Sequence, residues 1–198
     1  MRKNYDYSVC FDKKTEELFK KSIYLGQGNN GIVFELPENK IIKIFQKEKI
    51  CKAETNTLIK CKKSKYFPKI YSSGSLYIIR EKVNGIRLDK YIKRNGLSKE
   101  LTKEIYKLLK EFKKLKFTKL DTRCRDLYVT KDLKLMMIDP KGCYSRKVDF
   151  PRHLMKKLNK LGVLNTFLEN INEIDSKSAK YWKIQLDKYF KKENIEYL

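Results

Sequence analysis

Between Ile23 and Phe45 the apolar residues come in short runs separated by turn residues. Ile23-Tyr24-Leu25 leads into a glycine-rich segment and Ile32-Val33-Phe34-Glu35-Leu36 leads out of it. Pro37-Glu38-Asn39-Lys40 has turn chemistry, and Ile41-Ile42-Lys43-Ile44-Phe45 returns as a run rich in β-branched residues. This pattern predicts three strands in a meander. Upstream, Lys14 to Lys20 predicts a short helix with Leu18 and Phe19 inward. Residues 47–63 predict a helix with Ile50, Ala53, Thr57 and Leu58 near one face. Phe67-Pro68 ends it, Ile70-Tyr71 opens a strand, Ser72-Ser73-Gly74-Ser75 turns, and the run from Leu76 to Val83 is a further strand that Asn84-Gly85 breaks.

Beyond Gly85 the pattern becomes helical. Leu88 to Ile92 starts a helix, Asn95-Gly96 stops it, and Ser98 is a good N-cap for the next, which carries Leu101, Ile105, Leu108, Leu109, Phe112 and Leu115 at helical spacing. Leu127-Tyr128-Val129 and Leu135-Met136-Met137-Ile138 then read as a hairpin with Lys131-Asp132 in its turn. Residues 151–169 and 176–191 read as helices. Strands first and helices later, with a hairpin between, is an α+β pattern. The natural division lies near Val83-Asn84-Gly85, giving a β-rich part over residues 1–83 and a mainly helical part over 84–198.

Composition narrows the picture. The chain has 198 residues, enough for one compact domain or two small lobes, and its 41% apolar content supports a packed core. No apolar run is long enough to span a membrane. Met1-Arg2-Lys3-Asn4-Tyr5-Asp6-Tyr7 lacks the apolar stretch of a signal peptide, so a cytoplasmic protein is the expectation. The five cysteines (Cys10, Cys51, Cys61, Cys124, Cys143) are scattered and contain no C-x-x-C pair, which points to reduced, mostly buried thiols. The formal charge of +23, from 47 basic and 24 acidic residues, favours polyanionic partners such as RNA, ribosome, acidic protein or nucleotide. A lysine-rich drift that only solvates the surface would give the same number.

Three groups of residues could carry chemistry. Gly26-Gln27-Gly28-Asn29-Asn30-Gly31-Ile32-Val33 fits G-x-G-x-x-G-x-V, in which glycines let the backbone approach phosphate oxygens. A dinucleotide site would need a helix directly after these glycines, and here they stand between two strands. An ordinary hairpin turn is the plainer alternative. Lys43 lies on the third predicted strand, where a solvated edge-strand lysine is the plainer reading. Asp121, Asp126 and Asp139 bracket the apolar hairpin at spacings of five and thirteen. Carboxylates so placed could hold a divalent cation and orient a hydroxyl. His153, the sole histidine, reads as a surface or cap residue, and Trp182 with Tyr181 and Tyr189 as packing of the last helix.

Taken in order, these residues resemble the protein kinase-like superfamily, in a minimal RIO-like or small bacterial serine/threonine kinase form. The resemblance covers about residues 23–142. It implies a bilobal fold with a small antiparallel-sheet N-lobe and a reduced helical C-lobe. By it, Gly26 to Gly31 and Val33 cradle ATP, Lys43 reaches the phosphates, and Glu54 (with Glu48 as the lesser alternative) holds Lys43. The backbone of Glu81 and Val83 contacts adenine. Asp121 orients or deprotonates the acceptor hydroxyl, while Asp126 and Asp139 bind Mg²⁺, with Mn²⁺ as an alternative. A competing register makes Asp126 the base, but it leaves lysine at position 131, where the family has an amide. The departures are plain. Lys119 replaces the histidine of H-R-D, Asp126 the asparagine, Pro140-Lys141 the Phe-Gly of D-F-G, and Arg80 falls near the gatekeeper. The implied activity is phosphoryl transfer from ATP to Ser/Thr hydroxyls of a protein or of the chain itself. The alternatives are a nucleotide-binding pseudokinase, an RNA- or ribosome-associated kinase-like ATPase, and a small-molecule kinase.

Overall fold

The computed structural model describes residues 9–140 and 142–198. Met1 to Tyr7 and Lys141, on which two of the readings above fall, lie outside that range. Residue contacts divide the chain into two units. One runs to Val83 and also takes in Asp139 and Pro140; the other comprises Asn84–Ile138 and continues from Gly142 to Leu198. The architecture is α+β, with small antiparallel sheets and seven α-helices among the described residues. None of these helices is long and apolar enough to cross a membrane.

The first unit is built on a five-stranded antiparallel sheet of order β1-β2-β3-β5-β4, from β1 (Ile23–Gly28), β2 (Gly31–Leu36), β3 (Lys40–Phe45), β4 (Ile70–Ser73) and β5 (Tyr77–Glu81). The β2–β3 turn places Glu38 and Asn39 at left-handed φ values of 59° and 55°, which a tight reversal requires and Asn tolerates. One face of the sheet carries Leu36, Ile42, Ile44, Tyr77 and Ile79, covered by Phe11 and by Leu18 and Phe19 of α1 (Lys13–Lys20). Phe19 packs edge-on against Phe34 at 5.0 Å. The Asp12 carboxylate caps α1, accepting from the Thr15 N–H at 2.9 Å. The other face meets α2 (Glu48–Lys60), so β3 is buried on both sides and reads as a continuous apolar run interrupted only by Lys43.

The buried face of α2 is rotated from the one its apolar spacing predicts. It consists of Cys51, Glu54, Thr57 and Leu58, while Ala53 is exposed and Ile50 is half-buried. A buried glutamate outweighs an alanine here because Glu54 has an ionic partner on β3.

The second unit is mainly helical: α3 (Leu88–Asn95), α4 (Lys99–Lys114), α5 (Arg152–Asn159), α6 (Leu164–Ile174) and α7 (Ser176–Glu193). Ser98 caps α4 through the Leu101 N–H at 3.2 Å, and Leu101, Ile105, Leu108, Leu109 and Phe112 form its buried stripe. The predicted hairpin forms as β7 (Leu127–Val129) and β8 (Leu135–Met137), and β6 (Ile86–Arg87) adds a third strand. The single helix expected over 151–169 is two. Gly162, at φ +68°, ends the first, because a left-handed residue closes a helix and glycine adopts it without steric cost. Trp182 is buried and stacks on Phe167 at 6.4 Å, whereas Tyr181 is exposed. Four cysteines (Cys51, Cys61, Cys124, Cys143) are buried and Cys10 is exposed.

Candidate functional site

In the first unit, residues far apart in sequence meet at one charge cluster. Strand β3 turns Lys43 towards α2, and its Nζ lies 2.6 Å from Glu54 Oε2 and 3.5 Å from Asp139 Oδ1. The Glu54 side chain is fully buried, with Oε2 on Lys43. Burial pushes the Glu54 carboxyl up, to about 7, against the pull of Lys43, and the charge on Asp139 acts in the same direction as burial. The Lys43 ammonium also sits 4.7 Å from the centre of the Phe45 ring. Glu48, the lesser candidate, is exposed at the start of α2. One cation thus holds two carboxylates, one dry and one partly open to solvent.

The glycine-rich segment forms the β1–β2 hairpin. Gln27 pairs with Ile32, Gly28 with Gly31, and Asn29-Asn30 make the turn. Val33 lies directly opposite Lys43 across β2–β3. The glycines have different reasons for being there. A Cβ on Gly31 would lie 2.0 Å from the Ile44 carbonyl oxygen, so the strand packing itself demands glycine. A Cβ on Gly28 would meet nothing within 4 Å, and the space beside it is free for a ligand to approach the backbone. Gly31→Ala is therefore expected to destabilise the fold by about 1 to 3 kcal/mol. Gly28→Ala should melt like the unaltered protein, and thermal denaturation of the two variants checks the contrast.

At the end of β5 the two backbone positions assigned to adenine differ. The Glu81 N–H donates to the Lys69 carbonyl at 2.8 Å, and the Glu81 carbonyl accepts from Arg80 Nη1 at 2.9 Å. The Glu81 N–H is thus committed to Lys69 within the unit. The Val83 backbone makes no hydrogen bond among the described residues. Arg80, near the expected gatekeeper position, is buried within the sheet.

In the second unit, Asp121 is engaged in a way its sequence neighbourhood does not suggest. Its side chain is fully buried; Oδ1 accepts from the His153 backbone N–H at 2.8 Å and Oδ2 accepts from Arg152 Nε at 2.9 Å, with His153 Nδ1 also hydrogen-bonded to Oδ2. Asp121 therefore stands at the N-terminus of α5. That helix has Pro151 at its cap position, no acid in its first turn, and two basic residues, Arg152 and His153, at its positive end. Such an end calls for a carboxylate from elsewhere in the chain. Sequence reasoning read His153 as a surface or cap residue and passed over Arg152; the uncapped, basic start of α5 is the signal that could have found their bonds to Asp121. Asp126 ends a 3₁₀ turn (Cys124–Asp126), its carbonyl accepts from the Ile138 N–H at 3.0 Å, and its carboxylate lies 3.8 Å from Arg125 Nε.

Neither protein-family models nor curated proteins match this sequence.

The chemistry the residues allow follows from their donor types. Among the described residues no three His, Cys, Asp or Glu side chains gather into a metal-ligating cluster. Mg²⁺ seldom uses such a cluster; one or two carboxylates plus phosphate oxygens suffice. Asp139, partly open to solvent, is a carboxylate of that kind. Cys124 is no nucleophile: burial pushes its thiol up, to about 12, and it stays protonated at neutral pH.

Proposed function

We propose that the chain is an ATP- and Mg²⁺-dependent phosphotransferase, a minimal member of the protein kinase-like superfamily with a sheet-rich lobe over residues 1–83 and a reduced helical lobe over 84–198. The observation that carries this reading is the Lys43–Glu54–Asp139 cluster. An ammonium fixed by a buried glutamate from the next helix, with a more open carboxylate beside it, is the arrangement that positions nucleotide phosphates and their cation. In this reading Gly26, Gly28 and the turn Asn29-Asn30 lie over the phosphates, the Val83 backbone receives the base, and Asp139 is a ligand of Mg²⁺ or Mn²⁺. When bound, the cation neutralises charge on the transferred phosphoryl group. Asp121 orients the acceptor hydroxyl, taken to be a Ser or Thr of a protein or of this chain.

A second reading, a nucleotide-binding pseudokinase, is favoured by one observation: both Asp121 carboxylate oxygens are already occupied by α5. The two readings separate in one assay. Incubation with γ-labelled ATP and Mg²⁺ or Mn²⁺, alone and with cell lysate, is expected to label the protein or a lysate component. Asp139→Asn should reduce that transfer by about a hundredfold or more without lowering the melting temperature. A thermal shift with ATP and metal but no transfer selects the pseudokinase. Equal transfer by wild type and Asp139→Asn removes Asp139 as the metal ligand.

A further inference from the structure

The second unit contains a concave pocket of about 470 Å³ whose wall is almost entirely cationic. Arg87, Arg123, Arg125, Lys156, Lys157 and Lys160 line it with His153 and the buried Cys124, against a single carboxylate, Asp89. Three elements supply its cations, and α3 supplies Asp89. Helix α5 contributes His153, Lys156, Lys157 and Lys160, which three- and four-residue spacing places on one face. The turn at Cys124–Asp126 and the residue before it contribute Arg125 and Arg123, and β6 contributes Arg87.

The one carboxylate is already spent. Asp89 grips Arg87 in a two-pronged bond, Nε to Oδ1 at 3.0 Å and Nη2 to Oδ2 at 2.6 Å. Arg125 has only the long contact to Asp126, at 3.8 Å. Arg123, Lys156, Lys157 and Lys160 have no acid within ion-pair distance among the described residues, and unlike the scattered lysines of the rest of this unit they converge on one concavity. Like charges one helical turn apart, as at Lys156 and Lys160, destabilise a helix. Converging them on a concavity makes an anion site, since the field in a pocket exceeds that of the same charges on an open surface. The guanidinium and ammonium groups suit phosphate oxygens.

The pocket adjoins the candidate catalytic carboxylate, because His153 both lines it and is hydrogen-bonded to Asp121. We infer that this pocket holds a phosphate group carried by the hydroxyl-bearing acceptor, so that the acceptor is already phosphorylated before transfer. The acceptor role rests on the phosphotransferase reading; the anion site does not.

Titration calorimetry of the full chain with inorganic pyrophosphate, without ATP or metal, tests the site. Saturable one-to-one binding is expected, and a Lys156→Gln/Lys157→Gln/Lys160→Gln variant should weaken it by about tenfold or more. A Lys62→Gln/Lys63→Gln/Lys65→Gln control, which removes the same charge from an exposed part of the first unit, should leave it unchanged. No binding, or equal weakening by both triple variants, overturns the pocket. Binding of a single-stranded RNA that depends on the three α5 lysines, with no pyrophosphate binding, also overturns it in favour of an RNA surface. Competition then distinguishes the source of the phosphate: displacement of pyrophosphate by a hexose monophosphate assigns a small-molecule acceptor, displacement by a short phosphoserine peptide a phosphoprotein. Displacement by neither overturns the acceptor role. Pyrophosphate bound in the pocket with no transfer from ATP to any acceptor supports the anion site and overturns its role in transfer.

Discussion

Lys43→Ala is expected to cost on the order of 3 to 5 kcal/mol of stability at pH 8, because it leaves the Glu54 carboxylate buried with no counter-charge. For a chain of this length that corresponds to a fall of roughly 10 °C in melting temperature. The loss should shrink on acidification. Burial raises the Glu54 pKa in the folded protein to about 7 from an ordinary value of 4.5, so the fold binds a proton there more tightly than the unfolded chain does. Its protonated form contributes stability that is fully present below pH 4.5 and is lost as pH rises through about 7. Lys43→Ala removes the pull that opposes burial and raises the Glu54 pKa further, so its melting curves should follow those of wild type in their pH dependence below about 7 and fall away from them as pH rises beyond it. Glu54→Gln should remove that dependence, and Lys43→Met/Glu54→Leu should recover most of the stability, since an apolar pair of similar volume can replace a buried ion pair without loss. If the chain is the proposed phosphotransferase, the double variant would be stable yet transfer no phosphate. That pairing matters for reading the activity of Lys43→Ala, whose inactivity alone would not separate a lost phosphate ligand from a damaged unit. A pH-independent Lys43→Ala defect would show that Glu54 is not the group left stranded.

The elements of the fold that were legible in the sequence are those whose burial follows local spacing. The meander over Ile23 to Phe45, the Ser98-capped helix with its Leu101–Phe112 stripe, and the hairpin at 127–137 all signal themselves by period and by turn residues. Misreadings occur where a partner distant in sequence decides the outcome. The α2 face turned away from Ala53 because Lys43, eleven residues from Glu54, makes burial of that glutamate tolerable. Strand β6 is two residues long and exists only through its pairing with β7, so no periodicity announces it. The Lys43–Asp139 contact spans 96 residues and was not anticipated, since spacing along a chain says nothing about which loop folds back onto which strand. Asp121 is the reverse case. Its place in a motif was readable, but its bonds to Arg152 and His153 lie 31 and 32 residues away and follow from the needs of a helix end rather than from the motif.

Asp121→Asn should separate those two roles. The amide keeps the shape of the carboxylate, and its oxygen can still accept from the His153 N–H, so helix α5 keeps its cap. What it loses is the charge and the acceptor facing Arg152, since the NH₂ group takes the place of Oδ2, at an expected cost of about 1 to 3 kcal/mol. Asp121→Ala removes cap and charge together and leaves Arg152 half-buried without its partner, so the loss should reach about 3 kcal/mol or more. If Asp121 also orients the acceptor hydroxyl, Asp121→Asn should lower phosphoryl transfer by about 10²- to 10⁴-fold at a temperature where it is fully folded, while the thermal shift produced by ATP and metal persists. Arg152→Gln provides the converse, removing the cation from Asp121 Oδ2, which His153 Nδ1 still contacts, without removing the acid. Under the catalytic reading it should retain measurable transfer despite a lower melting temperature. An Asp121→Asn protein that is less stable yet transfers phosphate at the wild-type rate would make Asp121 a helix cap alone, and the group that meets the acceptor hydroxyl would have to be sought elsewhere in the second unit, with His153 on the pocket wall the first to test.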